Sequence, residues 1–153
     1  MCPTGEISRD GMDFWKPSGW KTSDKNDYKA NIYDKGHMAP AAAFNCYDKQ
    51  TLKETFNYLN CALQHQSLNR GPWKELERFE RDLSKVFENV KVNITIHFDN
   101  EPEFVEGGAQ IPSGFTKIIV AEEHKWSFYF DNVNLKGRDW SDFQIPNERP
   151  VLD

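Results

Sequence analysis

Tyr33-Asp34-Lys35-Gly36-His37-Met38-Ala39-Pro40 is the stretch on which the reading of this chain turns. A histidine directly after an Asp-Lys-Gly run is an arrangement that chemistry can use. Gly36 permits a tight backbone course, the acidic and basic neighbours can fix an imidazole and an anion, and Pro40 ends the element. The spacing predicts a short strand over residues 31–38 leading into an Asp-Lys-Gly-His turn, followed by a small-residue loop. Its counterpart further along is Asn69-Arg70-Gly71-Pro72-Trp73, which opens a long amphipathic helix.

That helix is the most legible element. Pro72 favours a first helical turn, and Trp73, Leu76, Phe79, Leu83 and Val86 recur at helical spacing to give one apolar stripe ending near Phe87. Asn69 lies at its start, and Glu77 and Arg81 are i, i+4 neighbours on its side. Taken alone, Asn69 would serve as a helix N-cap, and Glu77 with Arg81 would be an exposed ion pair worth a few tenths of a kcal/mol.

Working outward, Asp48 is placed to cap a helix over residues 49–58, with Leu52 and Phe56 one turn apart. Residues 58–63 read as a brief strand and 64–68 as a polar loop. Val90, Val92, Ile94, Ile96 and Phe98 alternate with polar residues, as a half-buried strand requires. Residues 115–121 and 126–130 read as two more strands joined by the short Glu122-Glu123-His124-Lys125 link. Residues 1–31 read as irregular structure anchored by Phe14, Trp15 and Trp20, and residues 132–153 carry no firm assignment. Together these elements predict an α+β fold: a mostly antiparallel sheet with one long amphipathic helix, in a single domain over residues 1–153.

Composition sets outer bounds. With 38% hydrophobic, 14% aromatic and 28% charged residues, the 153-residue chain has the make-up of a globular protein. It carries no bilayer-length apolar run and no signal-peptide pattern, so no membrane association is expected. A net charge of -5 argues against coating nucleic acid by bulk electrostatics, yet one basic cleft and a divalent cation remain compatible with it. Cys2, Cys46 and Cys61 are too few for a disulfide framework; buried free thiols are the plainer expectation, and Cys46 with Cys61 the favoured pair if one forms.

The chemistry these residues fit is phosphodiester hydrolysis, which needs a base for water, a positive centre on phosphate and support for the departing oxyanion. A histidine supplies the first near neutral pH. A hard divalent cation such as Mg2+ keeps several waters and takes few protein ligands, so the single amide oxygen of Asn69 is sufficient on the protein side.

At this point Asp34-Lys35-Gly36-His37-Met38-Ala39-Pro40, Asn60, Gln64, Leu68-Asn69-Arg70-Gly71-Pro72-Trp73, Leu76-Glu77 and Arg81 resemble the DNA/RNA non-specific endonucleases of the ββα-metal superfamily. The resemblance is close over residues 28–84 and fainter at Ile111-Pro112 and Phe115-Thr116-Lys117. It implies a ββα-metal core and an Mg2+-dependent endonuclease, with Mn2+ as the substitute ion, cutting DNA and RNA to leave 5'-phosphate and 3'-hydroxyl ends. By the same resemblance His37 is the general base, Asn69 the direct metal ligand, Glu77 the carboxylate around the metal's water shell, and Arg81 the support of the phosphate or transition state. Asp34 and Asn60 take supporting roles. Lys35 stands where the family usually has arginine, keeping the charge without the planar two-pronged grip. A homodimer is compatible with the resemblance, and a binding module of the same fold without catalysis is the alternative.

Overall fold

The computed structural model describes residues 6–146. In chain order its elements are β1 (Asp34–His37), α1 (Lys49–Glu54), β2 (Cys61–Gln64), α2 (Gln66–Arg70), α3 (Pro72–Leu83), β3 (Val90–His97), β4 (Glu103–Phe104), β5 (Gln110–Ile111), β6 (Gly114–Ala121), β7 (His124–Asp131) and β8 (Gln144–Ile145). The architecture is α+β with antiparallel sheets and one long helix. None of its helices is long and apolar enough to cross a membrane. The chain divides into two units, one built up to Gln64 with Glu101–Ile111, the other from His65–Asn100 and from Pro112 onward.

In the first unit β1 pairs antiparallel with β2, setting Asp34 opposite Gln64, Gly36 opposite Ala62 and His37 opposite Cys61. The Asp-Lys-Gly-His run is therefore strand and not the expected turn. Gly36 is used for close approach: a Cβ there would overlap the side chain of Gln64, which is fully buried. Asp48 caps α1 as its sequence position predicts, Oδ1 accepting the Thr51 N–H at 2.7 Å. The helix stops at Glu54, short of residue 58, because a 3-10 turn over Tyr58–Asn60 takes over, capped by the Asn57 side chain on the Leu59 N–H.

The N-terminal segment is held as expected by Phe14 and Trp15, which join Ile7 and Met12 against Ala41, Leu52 and Phe56. Trp15 adds backbone bonds, from its N–H to the Phe56 carbonyl and from the Tyr58 N–H to its own carbonyl. Trp20, expected as a third anchor, is 64% exposed and does not join that cluster. A second cluster joins Leu63, Val105 and Ala109 to Tyr28, Tyr33 and Ile111, and seats the β4–β5 pair in this unit. Cys61 is a buried free thiol, pushed up to about 12 by that burial, whereas Cys46 is disulfide-bonded. The Cys46–Cys61 pair therefore does not form, and Cys2 lies outside the described residues.

In the second unit β3, β6, β7 and β8 form a four-stranded antiparallel sheet in that order. The β6–β7 link is tighter than expected: Glu122 and Glu123 alone make the turn, Glu122 at φ 52. Phe115, Ile119, Ala121, Phe128 and Phe130 are buried, and Trp73 of α3 meets Phe115 and Phe130 at ring separations of 5.4 and 5.8 Å. Burying a side chain of this size contributes about 1.5–3 kcal/mol, so these ring contacts help to hold α3 on the sheet. The helix ends at Leu83, where the Ser84 hydroxyl donates back to the Arg81 carbonyl at 2.7 Å. Val86, expected on the apolar stripe, lies past that end and is 77% exposed. Of the expected loop over residues 64–68, residues 66–68 instead begin α2, because the His65 imidazole accepts the Ser67 N–H and starts a helical turn.

Candidate active site

His37 closes β1 half-buried in an aromatic surround, its ring 4.7 Å from Phe14 and edge-on to Phe56 at 4.6 Å. Nε2 has no hydrogen-bond partner and is shut off from solvent. Burial, helped by the positive charge of Arg9, depresses this imidazole to about 4. At neutral pH it is uncharged and able to accept a proton.

The segment after His37 is held by Asn60. Its Oδ1 accepts the Ala39 N–H at 2.8 Å, its Nδ2 donates to the Ala39 and Thr55 carbonyls at 2.9 and 2.8 Å, and its carbonyl accepts the Met38 N–H at 3.0 Å. Lys35, on the same strand face as His37, is paired with Asp13 at 2.5 Å and lies 5.4 Å above the Phe14 ring. That lysine holds the Asp13 carboxyl below the usual range. Asp34 begins β1, in register with Gln64, whose buried amide nitrogen and oxygen both lack a partner.

The second unit carries the remaining predicted residues. Asn69 lies inside α2, half-buried, with its N–H on the His65 carbonyl at 3.0 Å. It is not the helix cap that its position suggested: His65 caps α2, and Gly71 stands at the start of α3. Glu77 and Arg81 lie on α3, both half-buried, so they are not a plain solvent pair. Protein atoms crowd the Glu77 carboxyl although part of the residue reaches the surface, and this burial pushes it up to about 7. Lys117 opposes the rise most strongly, Glu80 adds to it, and Arg81 opposes it more weakly. The Trp73 indole also lowers it slightly, although Nε1 makes no hydrogen bond of ordinary geometry.

The sequence as a whole matches the DNA/RNA non-specific endonuclease family over residues 12–150. The chain belongs to this family. It is 31% identical to bovine (Bos taurus) mitochondrial Endonuclease G over 91 residues, covering 58% of this chain and 30% of that protein. It is 36% identical to human (Homo sapiens) mitochondrial Nuclease EXOG over 133 residues, covering 80% and 34%. Among solved structures it matches a chain of the crystal structure of the EndoG/EndoGI complex with a TM-score of 0.75 and 28% identity, over 92% of this chain and 66% of that one. The chain spans about a third of the length of the curated relatives it matches. Its α+β architecture is that of the ββα-metal nucleases.

In this endonuclease-family chain, sequence reasoning passed over one pair of residues. Lys117 is fully buried in the middle of β6, its Nζ 2.7 Å from the Glu80 carboxylate and 3.9 Å from the Trp73 ring centroid. The signal was present in the periodicities. Lys117 falls in phase with Phe115 and Ile119 on the inward face of its strand, and Glu80 in phase with Trp73, Leu76 and Leu83 on the inward face of α3.

Proposed function

We propose that this chain is a metal-dependent endonuclease hydrolysing phosphodiester bonds of DNA and RNA with little sequence preference. Family membership supports nuclease chemistry. The observation that carries the residue-level reading is His37: a neutral imidazole with an unpartnered Nε2, followed directly by backbone that Asn60 holds at three bonds. His37 Nε2 takes the proton of the attacking water, whose oxygen bonds to phosphorus as the bond to the 3'-oxygen breaks. The products are a 5'-phosphate and a 3'-hydroxyl.

Asn69 and Glu77 offer an amide and a carboxylate oxygen, hard donors that suit Mg2+ or Mn2+ better than zinc. Among the described residues no group of three His, Cys, Asp or Glu stands together as a metal cage, in keeping with an ion that retains much of its water. Asn69 would hold the ion directly and Glu77 would order its waters. When bound, the ion supplies Lewis-acid polarisation of the phosphate and charge support for the leaving oxygen. Arg81 supports the phosphate, Lys35 adds a positive charge beside His37, and Asp34 and Asn60 keep β1 and the following loop in place. Contacts to phosphate carry no base information, so little sequence preference follows.

Plasmid nicking and RNA cleavage with Mg2+, with Mn2+ and with EDTA test this reading. Metal-dependent cutting of both substrates, lost in His37→Ala, is the expected result; cutting that survives EDTA or that substitution overturns it. A binding module without catalysis is the second reading, favoured by the solvent-inaccessible Nε2 and by Asp13 neutralising Lys35. It predicts retarded but uncut DNA. Sedimentation of the purified chain decides whether it acts as the homodimer that the resemblance allows.

A further inference from the structure

To take a proton from water, His37 Nε2 must come within hydrogen-bond reach of it, yet that atom is closed to solvent and has no partner. Two rings close on the imidazole, Phe56 at 4.6 Å and Phe14 at 4.7 Å. They are held differently. Phe56 is buried in the core cluster, and His37 itself is paired into the β1–β2 ladder opposite Cys61. Phe14 belongs to a stretch tied down at its two ends, where the Ile7 N–H donates to the Asn45 carbonyl and the Trp15 N–H to the Phe56 carbonyl. Between those ties the backbone N–H groups bond locally: Asp10 to Ser8 Oγ, Met12 to the Arg9 carbonyl and Phe14 to Asp13 Oδ1, around a turn with Gly11 at φ 77.

Side chains hold the middle of this stretch to the site. Met12 and Phe14 pack half-buried on Ala41, Leu52 and Phe56. The Asp13 carboxylate pairs with Lys35 Nζ at 2.5 Å, and the same ammonium lies 5.4 Å from the Phe14 ring centroid. Both polar ties therefore meet at one lysine. A partly exposed ion pair is a weak tie, and an arriving phosphate competes for the ammonium while repelling the carboxylate. We infer that residues 8–14 are a strap that covers His37 in the resting chain, and that a nucleic-acid phosphate opens it by drawing Lys35 away from Asp13 and Phe14. The inference rests on the role given to His37 above. It makes the inaccessible Nε2 and the neutralised Lys35 two features of one closed form, in a segment whose few apolar contacts place it among the parts of a fold that open most readily.

The test reads the covering contact directly, by nuclear Overhauser cross-peaks in the full chain with EDTA present, so that DNA binds uncut. The parent should show cross-peaks from the His37 ring to both Phe14 and Phe56. Adding a short single-stranded DNA should abolish those to Phe14 and keep those to Phe56. Asp13→Asn, an exposed substitution that leaves the apolar packing in place, should weaken the Phe14 cross-peaks before any DNA is added, by shifting the open-to-closed ratio about two- to fivefold. Phe14→Ala changes no charge and should still bind the DNA more tightly, by about tenfold if the parent strap is open in about a tenth of molecules. A side chain that merely supported the fold would weaken binding when removed. Phe14 cross-peaks that persist at the highest DNA concentration overturn the inference, as does equal or weaker binding by Phe14→Ala. If Phe14→Ala does not fold, the cross-peaks of the parent and of Asp13→Asn decide. Failure of the nuclease reading shows separately, as no cleavage with Mg2+ by any of these proteins while the cross-peak and binding results hold.

Discussion

The Asn60 carboxamide and the Ala39 peptide form a closed two-bond ring: Oδ1 accepts the Ala39 N–H at 2.8 Å and Nδ2 donates to the Ala39 carbonyl at 2.9 Å. The ring ties the residues after His37 to the start of β2, so the course of the chain beyond the imidazole depends on a side chain distant in sequence. Asn60→Ala removes this ring and the Thr55 bond together. It should cost about 1–3 kcal/mol in thermal or urea unfolding and lower cleavage as well. Asn60→Asp keeps the acceptor but sets a carboxylate against two carbonyls, so its stability deficit should shrink toward pH 4, where a protonated acid can donate.

His37 titrates near 4 in the fold against about 6.5 in an unfolded chain. The unfolded chain therefore binds the extra proton first. His37 contributes stability above pH 6.5, and this is lost as pH falls through the window down to about 4, on the order of 3 kcal/mol in all. His37→Phe has no such proton to exclude. Melting profiles between pH 7 and 4 should show the parent losing more stability than the variant, while the variant does not cut.

Glu77 shifts the other way, held near 7 against an ordinary 4.5. Its neutral form is favoured in the fold, so its contribution to stability is present below 4.5 and is lost as pH rises through about 7. Glu77→Gln should accordingly be more stable than the parent at pH 8, with cleavage reduced at every pH. The parent's cleavage should rise with pH through about 7, governed by Glu77; an acid limb near pH 4 would assign control to His37 instead.

Gly36 is present because Gln64 covers it. Gly36→Ala should destabilise the β1–β2 pair by about 1–3 kcal/mol, the usual cost of overpacking. Gln64→Ala in the same chain should recover part of that loss, since it vacates the space a Cβ needs. A double-mutant cycle on chemical unfolding measures the coupling, and additive losses would show that the two side chains do not compete for one space.

Asp13 pairs with Lys35, the cation two residues before His37 on the same β1 face, at 2.5 Å from Nζ. Releasing it by Asp13→Asn should strengthen binding of a short single-stranded DNA and steepen the salt dependence of that binding, because one more free charge meets phosphate. Fluorescence anisotropy across a salt series reads both effects. Unchanged affinity would show that Lys35 takes no part in holding the strand.

The elements that could be read from residues alone are those with enough repeats to show a period. α3 begins at Pro72 as its sequence predicts, Asp48 caps α1, and the alternation after Val90 gives β3. Shorter elements hide their pattern. Five residues are too few to reveal α2, and its start depends on the His65 ring accepting a backbone N–H. β1 looks like a turn because Gly36 reads locally as flexibility, whereas its use is contact with Gln64, a partner 28 positions away that no local pattern reveals. Residue type groups Trp20 with Phe14 and Trp15, yet only the latter two join the cluster of Ala41, Leu52 and Phe56, and Trp20 is largely exposed.

By itself the sequence determined the family, the residue types that could carry the chemistry and the elements with a clear period, because motif spacing and periodicity are properties of neighbours along the chain. Tertiary structure decided which charges those residues bear: an imidazole held neutral in an aromatic surround, a Glu77 carboxyl lifted toward neutrality, and a lysine sealed beneath a helix. Ionisation is set by burial and by charges brought close from remote parts of the chain, so it came into being only with the fold.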